Sequence, residues 1–233
     1  MHPSKQSNSN VRKENLLLSI IFNLVMPIFI LSKFTNYFGP MKTLFVALSF
    51  PASYAFVDYI IRRQFNPISL FGFCGTLLKG LFAFFQVDNF WFAVQEAILP
   101  IFLGTFTILS AYIKKPIVNY FIYNENIFQT DKLDCLIKEK HKEKEFQKII
   151  WIITIVFGFV FFFGGLMNFI LARIIIISPV GTKEFNHELA KMTFTGYLVV
   201  SLPKFLMSAA GLWWFVKKLK TMTGLNLEEM FKI

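Results

Sequence analysis

Three charged side chains lie deep inside long apolar segments of this 233-residue chain, well away from the segment ends: Lys79, Glu96 and Lys204. An ionisable group in hydrocarbon costs at least about 2.5–3.5 kcal/mol unless it is paired or hydrated, and such groups often mark substrate or ion pathways. This candidate intramembrane polar cluster allows two interpretations. The three groups surround an outward-facing cavity for an anion or a lipid head group, or they pair and snorkel separately as structural features.

An ion pair is predicted between Lys79 and Glu96. Their apolar segments are joined only by Val87, Asp88 and Asn89, which requires a tight antiparallel hairpin. At 1.5 Å per residue, both side chains lie about 9–10 Å from the same end of that hairpin. The pair would neutralise two awkward charges and set the register of the two helices.

Prolines and glycines inside the apolar segments indicate where helices bend or approach closely. Proline removes a backbone hydrogen bond, so we expect helix kinks at Pro27, Pro51, Pro100 and Pro203. Such breaks line the substrate sites of transporters, although proline is also common in membrane helices generally. We further expect close helix contacts at Gly158, Gly164, Gly165 and Gly211, and a hydrogen bond between helices from Asn168.

No catalytic signature is present in the sequence. It contains no His-Glu-x-x-His, no Gly-x-Ser-x-Gly, no Walker loop and no close pair of carboxylates within an apolar segment. His187 with Glu184 and Glu188 does not have the spacing of a known metal site. The sequence therefore predicts a protein that is not an enzyme and that has no cofactor and no metal.

Six apolar segments carry these residues and define the fold class. Each reaches the length of about 18–20 residues that crosses about 30 Å of hydrocarbon as a helix, which satisfies its own backbone polar groups. Hydrophobic residues make up 55% of the chain, too many for a soluble domain of this size. The prediction is an all-α polytopic membrane protein with six transmembrane helices: Leu16–Phe34, Met41–Ile61, Asn66–Gln86, Phe90–Ile113, Ile149–Ile177 and Thr193–Val216.

The distribution of cations predicts the topology. Of 24 Lys and Arg residues, 17 lie in the two terminal tails and in the second and fourth gaps between segments, and four lie in the alternate gaps. Because Lys and Arg favour the cytoplasmic side, both termini are expected in the cytoplasm of a bacterium, with the chain in the inner membrane. We therefore expect the positive net charge of +10 to interact with the anionic lipids of the inner leaflet and not with nucleic acid.

The chain divides into five predicted regions. The charged loop between the fourth and fifth spans is expected to contain a helix, Asp131–Lys148, on or above the inner membrane surface. It is either a solvated helix without a partner or a contact surface. The regions are a disordered leader (1–13), a four-helix membrane half (14–113), the charged cytoplasmic loop (114–148), a two-helix membrane part (149–218) and a cytoplasmic tail (219–233).

Several short motifs resemble the intracellular septation protein A family, a group of small bacterial multi-pass membrane proteins. They are Arg62–Ser69, Trp91–Glu96, Lys114-Lys115-Pro116, Asn168–Ala172 and Thr223-Gly224-Leu225. The resemblance implies an inner-membrane protein linked to division or cell-envelope maintenance, without established catalytic residues. Some relatives are loosely labelled transporters of the major facilitator type, a fold with twice this number of spans. The long charged loop departs from the family pattern.

Two functions are compatible with these observations. The first is a non-enzymatic inner-membrane protein that acts through envelope or division proteins or as a homo-oligomer. The alternative is a small transporter or channel for an anionic or lipid-like solute, which would use the kinked helices and the cluster of Lys79, Glu96 and Lys204.

Overall fold

A computed structural model describes residues 21–62, 78, 80–82, 84–85, 87–113, 116–125 and 127–232. These residues form an all-helical protein without a β-strand. The helices are α1 (Ile21–Lys33), α2 (Thr35–Phe38), α3 (Pro40–Arg62), α4 (Asn89–Tyr112), α5 (Val118–Phe121), α6 (Thr130–Glu139), α7 (Glu143–Ile175), α8 (Lys183–Thr223) and α9 (Leu227–Met230).

Three of the described helices are long and apolar enough to cross a membrane. They are α4 with 24 residues, α7 with 33 and α8 with 41, and they contain the fourth, fifth and sixth predicted spans. In the first predicted span, the described helix is only 13 residues long, and α3 in the second has 23 residues. The third predicted span lies largely outside the described residues. The all-α membrane class is thus supported, and the six-span topology stays a prediction.

Two of the long helices begin earlier than their apolar segments. Helix α7 starts at Glu143, six residues before the predicted span, and α8 starts at Lys183, ten residues before it. The start of α8 is amphipathic, and Phe185 and Leu189 are buried there. The connection between the fifth and sixth predicted spans is therefore partly helical. Apolar residues at helical spacing pack inside the protein there, and a helix of this kind does not require a long apolar run.

The chain folds as two compact units, one of residues 1–92 and 173–194 and one of residues 93–172 and 195–233. In the first unit, Asn186 at the start of α8 is fully buried. Its Nδ2 donates hydrogen bonds to Thr35 Oγ1 at 3.2 Å and to the Pro40 carbonyl at 2.8 Å. The carboxylate of Glu188 accepts bonds from Ile177 N, Ser178 N and Ser178 Oγ. These bonds fasten the turn between α2 and α3 and the loop after α7 to α8.

The charged loop and the tail of the second unit fold together. We call this part the end domain: the described residues of 116–142, the first three turns of α7, and residues 215–232. Its core consists of fully buried apolar side chains from both segments: Val118, Tyr123, Phe128, Leu133, Ile137, Ile149, Ile150, Ile153, Phe215, Leu219, Met222 and Met230. The loop helix is therefore packed against its own chain through Leu133 and Ile137, and both interpretations of its exposed face, as a solvated helix or as a contact surface, stay predictions.

Polar contacts join the two segments of the end domain. Gln129 N donates to the Met230 carbonyl and Lys232 N donates to the Ile127 carbonyl, each at 2.9 Å. Between them, the rings of Phe128 and Phe231 stack with centroids 4.7 Å apart. This pairing is a single antiparallel bridge between residues about one hundred positions apart in sequence.

A second polar contact lies inside the loop. Tyr123 Oη donates to Asp134 Oδ1 at 2.7 Å. Burial raises the pKa of Tyr123, and the bond to Asp134 raises this pKa further, so the phenol stays protonated. The bond fixes the segment before α6 to α6 itself.

The expected helix Asp131–Lys148 is two helices. Helix α6 ends at Glu139 and α7 begins at Glu143, with His141 between them at φ 54°, a left-handed conformation that few residues other than glycine adopt. The break places the Lys140 amine 2.6 Å from the Thr223 carbonyl at the end of α8. Gly224 follows at φ 79° as the left-handed C-cap residue. A cation at this position satisfies a terminal carbonyl and complements the helix dipole.

Replacing Lys140 by Met should loosen the end domain, because the carbonyl of Thr223 loses its charged donor. We expect a loss of about 1 kcal/mol, equivalent to roughly fivefold faster amide exchange in the segments 127–139 and 224–232. Hydrogen-exchange mass spectrometry of the full-length protein measures this, with the exposed Lys144→Met as the matched control. Equal exchange in the two variants would show that the Lys140 contact does not stabilise the domain.

Candidate intramembrane polar site

The membrane part of the second unit is built on close contacts between α4 and α7. A Cβ added to Gly104 of α4 would lie 2.9 Å from the Gly158 carbonyl of α7, and one added to Gly158 would overlap Ile108. Seven residues further along α7, a Cβ on Gly165 would lie 3.2 Å from the Ala97 carbonyl. The two helices therefore approach backbone to backbone at positions spaced by seven residues on each, as in an antiparallel heptad pairing.

Helix α8 contacts another side of α7. Gly211 of α8 faces Ile153, and Gly196 faces Leu171, so these two helices also run antiparallel. Between these contacts lies Lys204, whose side chain is packed on Gly164. A Cβ on Gly164 would lie 2.8 Å from Lys204 Cδ and 3.1 Å from Nζ. The predicted close approach is confirmed at Gly158, Gly165 and Gly211, whereas Gly164 is packed against the Lys204 side chain.

Lys204 is half-buried and follows a local break in α8. Residues Tyr197–Ser201 form a π-helical turn, and Pro203 comes two residues later. Pro203 has no N–H, so the usual bond to the carbonyl four residues earlier is absent, and the wider π turn accommodates the ring. No hydrogen bond or ion pair of the Lys204 amine is found among the described residues. The amine is thus held near the middle of the bundle by packing of its own stem.

Glu96 lies on α4 in the same unit and is 9% exposed. The next residue toward the start of the helix, Gln95, is 5% exposed, and within the described part of the chain its Oε1 has no hydrogen-bond partner. Asn168 of α7 donates from Nδ2 to the Glu96 carbonyl at 3.5 Å. The predicted bond between helices from Asn168 is confirmed, and its acceptor is the backbone carbonyl of Glu96.

The structure answers other site predictions only in part. Lys79 lies outside the described residues, so the Lys79–Glu96 ion pair stays a prediction. Of the four prolines, Pro27 and Pro203 each come two residues after a π-helical turn, whereas Pro51 and Pro100 lie inside helices assigned without interruption. Groups of three or more His, Cys, Asp or Glu side chains able to hold a metal ion are not found among the described residues.

The space at the glycine contacts is filled by neighbouring groups of the protein, one of which is the charged Lys204 side chain. Gly164 is filled by the Lys204 side chain and Gly165 by Ile101 and the Ala97 carbonyl. Gln95, Glu96 and Asn168 supply additional polar atoms from α4 and α7. The contacts above do not join Lys204 to Gln95, Glu96 or Asn168, so a cavity shared by Lys204 and Glu96 stays a prediction.

Sequence reasoning missed two features of this unit. Gly104 was not identified from the sequence, although its partner Gly158 was. Ala97 and Gly104 are small residues seven positions apart on α4, and this spacing is the signal that could have identified Gly104. The end domain was missed because its core joins the loop to the tail, and apolar residues such as Met230 and Phe231 follow a charged stretch without a repeating pattern.

The chain was compared with family models, with curated proteins and with solved structures, and none of them matches it. The resemblance to the septation protein A family therefore stays a prediction from short motifs.

Replacing Gly165 by Ala should destabilise the bundle by about 1–3 kcal/mol, because the added methyl meets backbone that cannot move aside. Gly196→Ala is the matched control, since its Cβ would lie 3.7 Å from the nearest atom, an ordinary contact. Thermal unfolding of the purified protein in detergent measures the difference. Equal melting temperatures for the two variants would contradict the close approach of α4 and α7.

Proposed function

We propose that this chain is a non-enzymatic bacterial inner-membrane protein that acts by binding other envelope proteins, with the end domain as the contact surface. The observation that carries the proposal is the end domain itself. A loop and a tail about one hundred residues apart share one core of buried side chains, which a simple connection between spans does not need. The six-span topology with both termini in the cytoplasm is part of the proposal and is supported by the cation count. The link to septation is supported by the sequence motifs alone.

The surface of the end domain suits protein binding. Acidic and basic side chains are interspersed over the exposed parts of α6 and the start of α7, including Glu139, Lys138 and Lys144. The backbone beneath them is fixed by the Tyr123–Asp134 and Lys140–Thr223 bonds. A surface that is already ordered loses less conformational entropy on binding, and interspersed charges favour one partner over others.

The close packing of the membrane bundle supports the same conclusion. At Gly104, Gly158 and Gly165, the α4 and α7 backbones approach too closely for a side chain, so this face of each helix contributes to stability and not to a solute path. The exposed side of the bundle carries large apolar groups such as Phe102, Phe159 and Phe205, as expected for contact with lipid.

Photo-crosslinking in cells tests the proposal. A photoreactive residue at Lys144, on the exposed surface of the end domain, should form a reproducible adduct with one protein of the envelope or with a second copy of this chain. The same group at Phe205, exposed on the membrane part of α8, is the matched control and should react with lipid. Identical adducts at the two positions, or lipid adducts alone at Lys144, would contradict partner binding by the end domain.

The orientation is tested through Cys135, an exposed free thiol on α6. In a Cys74→Ser background, a membrane-impermeant maleimide should label Cys135 in inverted vesicles and leave it unlabelled in intact cells with a permeabilised outer membrane. This follows from the excess of Lys and Arg on one side. Labelling in the intact cells would place the end domain outside and reverse the proposed topology.

A second candidate function is supported by the position of Lys204. An amine packed on Gly164 near the middle of a bundle could attract an anionic or lipid-like solute in a small transporter or channel. Lys204→Met separates the two functions. In a transporter, this variant should fold at normal abundance and fail to complement a deletion strain, with partial recovery by Lys204→Arg because the guanidinium has a different shape. Full complementation by Lys204→Met at normal abundance would remove Lys204 from any functional site.

A further inference from the structure

A groove of about 680 Å³ lies where the end domain meets the end of α4. Its volume is within the range of about 300–1,000 Å³ that is typical of ligand sites. Ala111 of α4 lines it together with end-domain residues that include Ile137, Lys138, Phe146 and Trp151. The groove belongs wholly to the second unit, and the candidate intramembrane polar site is separate from it.

Aromatic side chains place this groove at the membrane–water boundary. Tyr112 at the end of α4 meets Trp151 of α7 edge to face with ring centroids 6.0 Å apart, and both are exposed. Trp213 of α8 is exposed as well, and the Lys217 amine lies 5.2 Å from its ring centroid. Tyr and Trp collect at the level of lipid head groups, where an amphipathic ring is in contact with both phases. Each of the three long helices therefore has an aromatic anchor near its end-domain side.

The apolar run of α7 begins at the same level. Lys148 is the last charged residue before it, and Trp151 follows within one turn. Both side chains line the groove, so the lining passes from charged to apolar at the height where a phospholipid changes from head group to acyl chain.

The charges of the described lining are balanced. It contains two cations, Lys138 and Lys148, and two carboxylates, Asp134 and Glu143. One oxygen of Asp134 already accepts the Tyr123 hydroxyl. Neither lysine is in an ion pair among the described residues. Cations and carboxylates that line one groove complement a ligand that carries a positive and a negative group together.

We infer that this groove binds the head group of a zwitterionic phospholipid with a primary amine, of the phosphatidylethanolamine class. Lys138 and Lys148 bind the phosphate as point cations with several donors each. Glu143 accepts hydrogen bonds from the ammonium group, and the indole of Trp151 lies against the start of the acyl chains. The inference does not depend on the proposed function, because it needs only the end domain at the bilayer surface and no protein partner.

Lipid selectivity of the full-length protein tests the inference. Native mass spectrometry in detergent counts bound lipids after equal additions of phosphatidylethanolamine, phosphatidylglycerol and phosphatidylcholine. The protein should retain the ethanolamine lipid over both others by at least roughly threefold, the scale of one exposed ion pair. Preferential retention of phosphatidylglycerol would overturn the zwitterionic assignment, and equal retention of all three lipids would overturn the site.

A change of selectivity distinguishes the groove from the general lipid surface. Glu143→Gln leaves two lysines with one carboxylate, so retention should shift from the ethanolamine lipid toward phosphatidylglycerol. Glu145→Gln is the matched control, because Glu145 is exposed two residues away and does not line the groove. The same selectivity in both variants would contradict a role for Glu143. A misfolded variant would lose binding without reversing the preference.

A soluble competitor identifies the source of the head group. Glycerophosphoethanolamine has the same phosphate and amine and lacks acyl chains. If the ligand is a lipid, this compound should not displace phosphatidylethanolamine at equal concentration, since the contact with Trp151 and Ile150 is lost. Displacement at equal concentration would show a site for a water-soluble phosphate ester and overturn the lipid assignment.

Discussion

The close approach of α7 to two neighbouring helices is the contact on which the membrane part of the second unit depends. Between helices in lipid there is no hydrophobic driving force, so association depends on van der Waals packing and on a few polar contacts. Gly158 and Gly165 bring the α4 backbone close to α7, and Gly211 lets Ile153 and Val156 of α7 pack tightly against α8. A side chain at most of these positions would separate the helices and remove the contacts that hold them.

Helix α7 also connects this packing to the end domain. Its residues Ile149, Ile150 and Ile153 belong to the end-domain core, and Gly158 follows little more than one turn later. One continuous helix therefore contributes both to the apolar core of the end domain and to the lipid-exposed helix bundle. In the end domain, large apolar side chains pack together and exclude water. In the bundle, glycines without side chains allow the helix backbones to approach each other. The change occurs near Trp151, at the level of the aromatic anchors.

Part of this structure could be predicted from the sequence, because the signal is local. A run of apolar residues longer than a bilayer predicts a helix wherever it occurs, and the segments of α4, α7 and α8 are such runs. The early start of α8 depends on burial of Phe185 and Leu189 against other parts of the chain, which apolar length does not show. The pairing of Phe128 with Phe231 joins residues about one hundred positions apart, so no local pattern in the sequence predicts it.

The same reasoning applies to the candidate site. Residues that are unusual in their own segment, such as Glu96 and Lys204, could be found from the sequence because a charge in an apolar run is conspicuous. What each one touches could not be predicted. The contact of Lys204 with Gly164 depends on the register of α7 against α8, which neither residue reveals in its own segment.

The two adjacent glycines of α7 have different roles. Gly165 faces the Ala97 carbonyl, so any side chain there meets backbone, and its lack of a Cβ serves helix packing. Gly164 faces only the flexible stem and amine of Lys204, which could move aside for a methyl group at small cost. Close packing of backbones therefore explains Gly165 and does not explain Gly164. What Gly164 provides is room for the Lys204 side chain against α7.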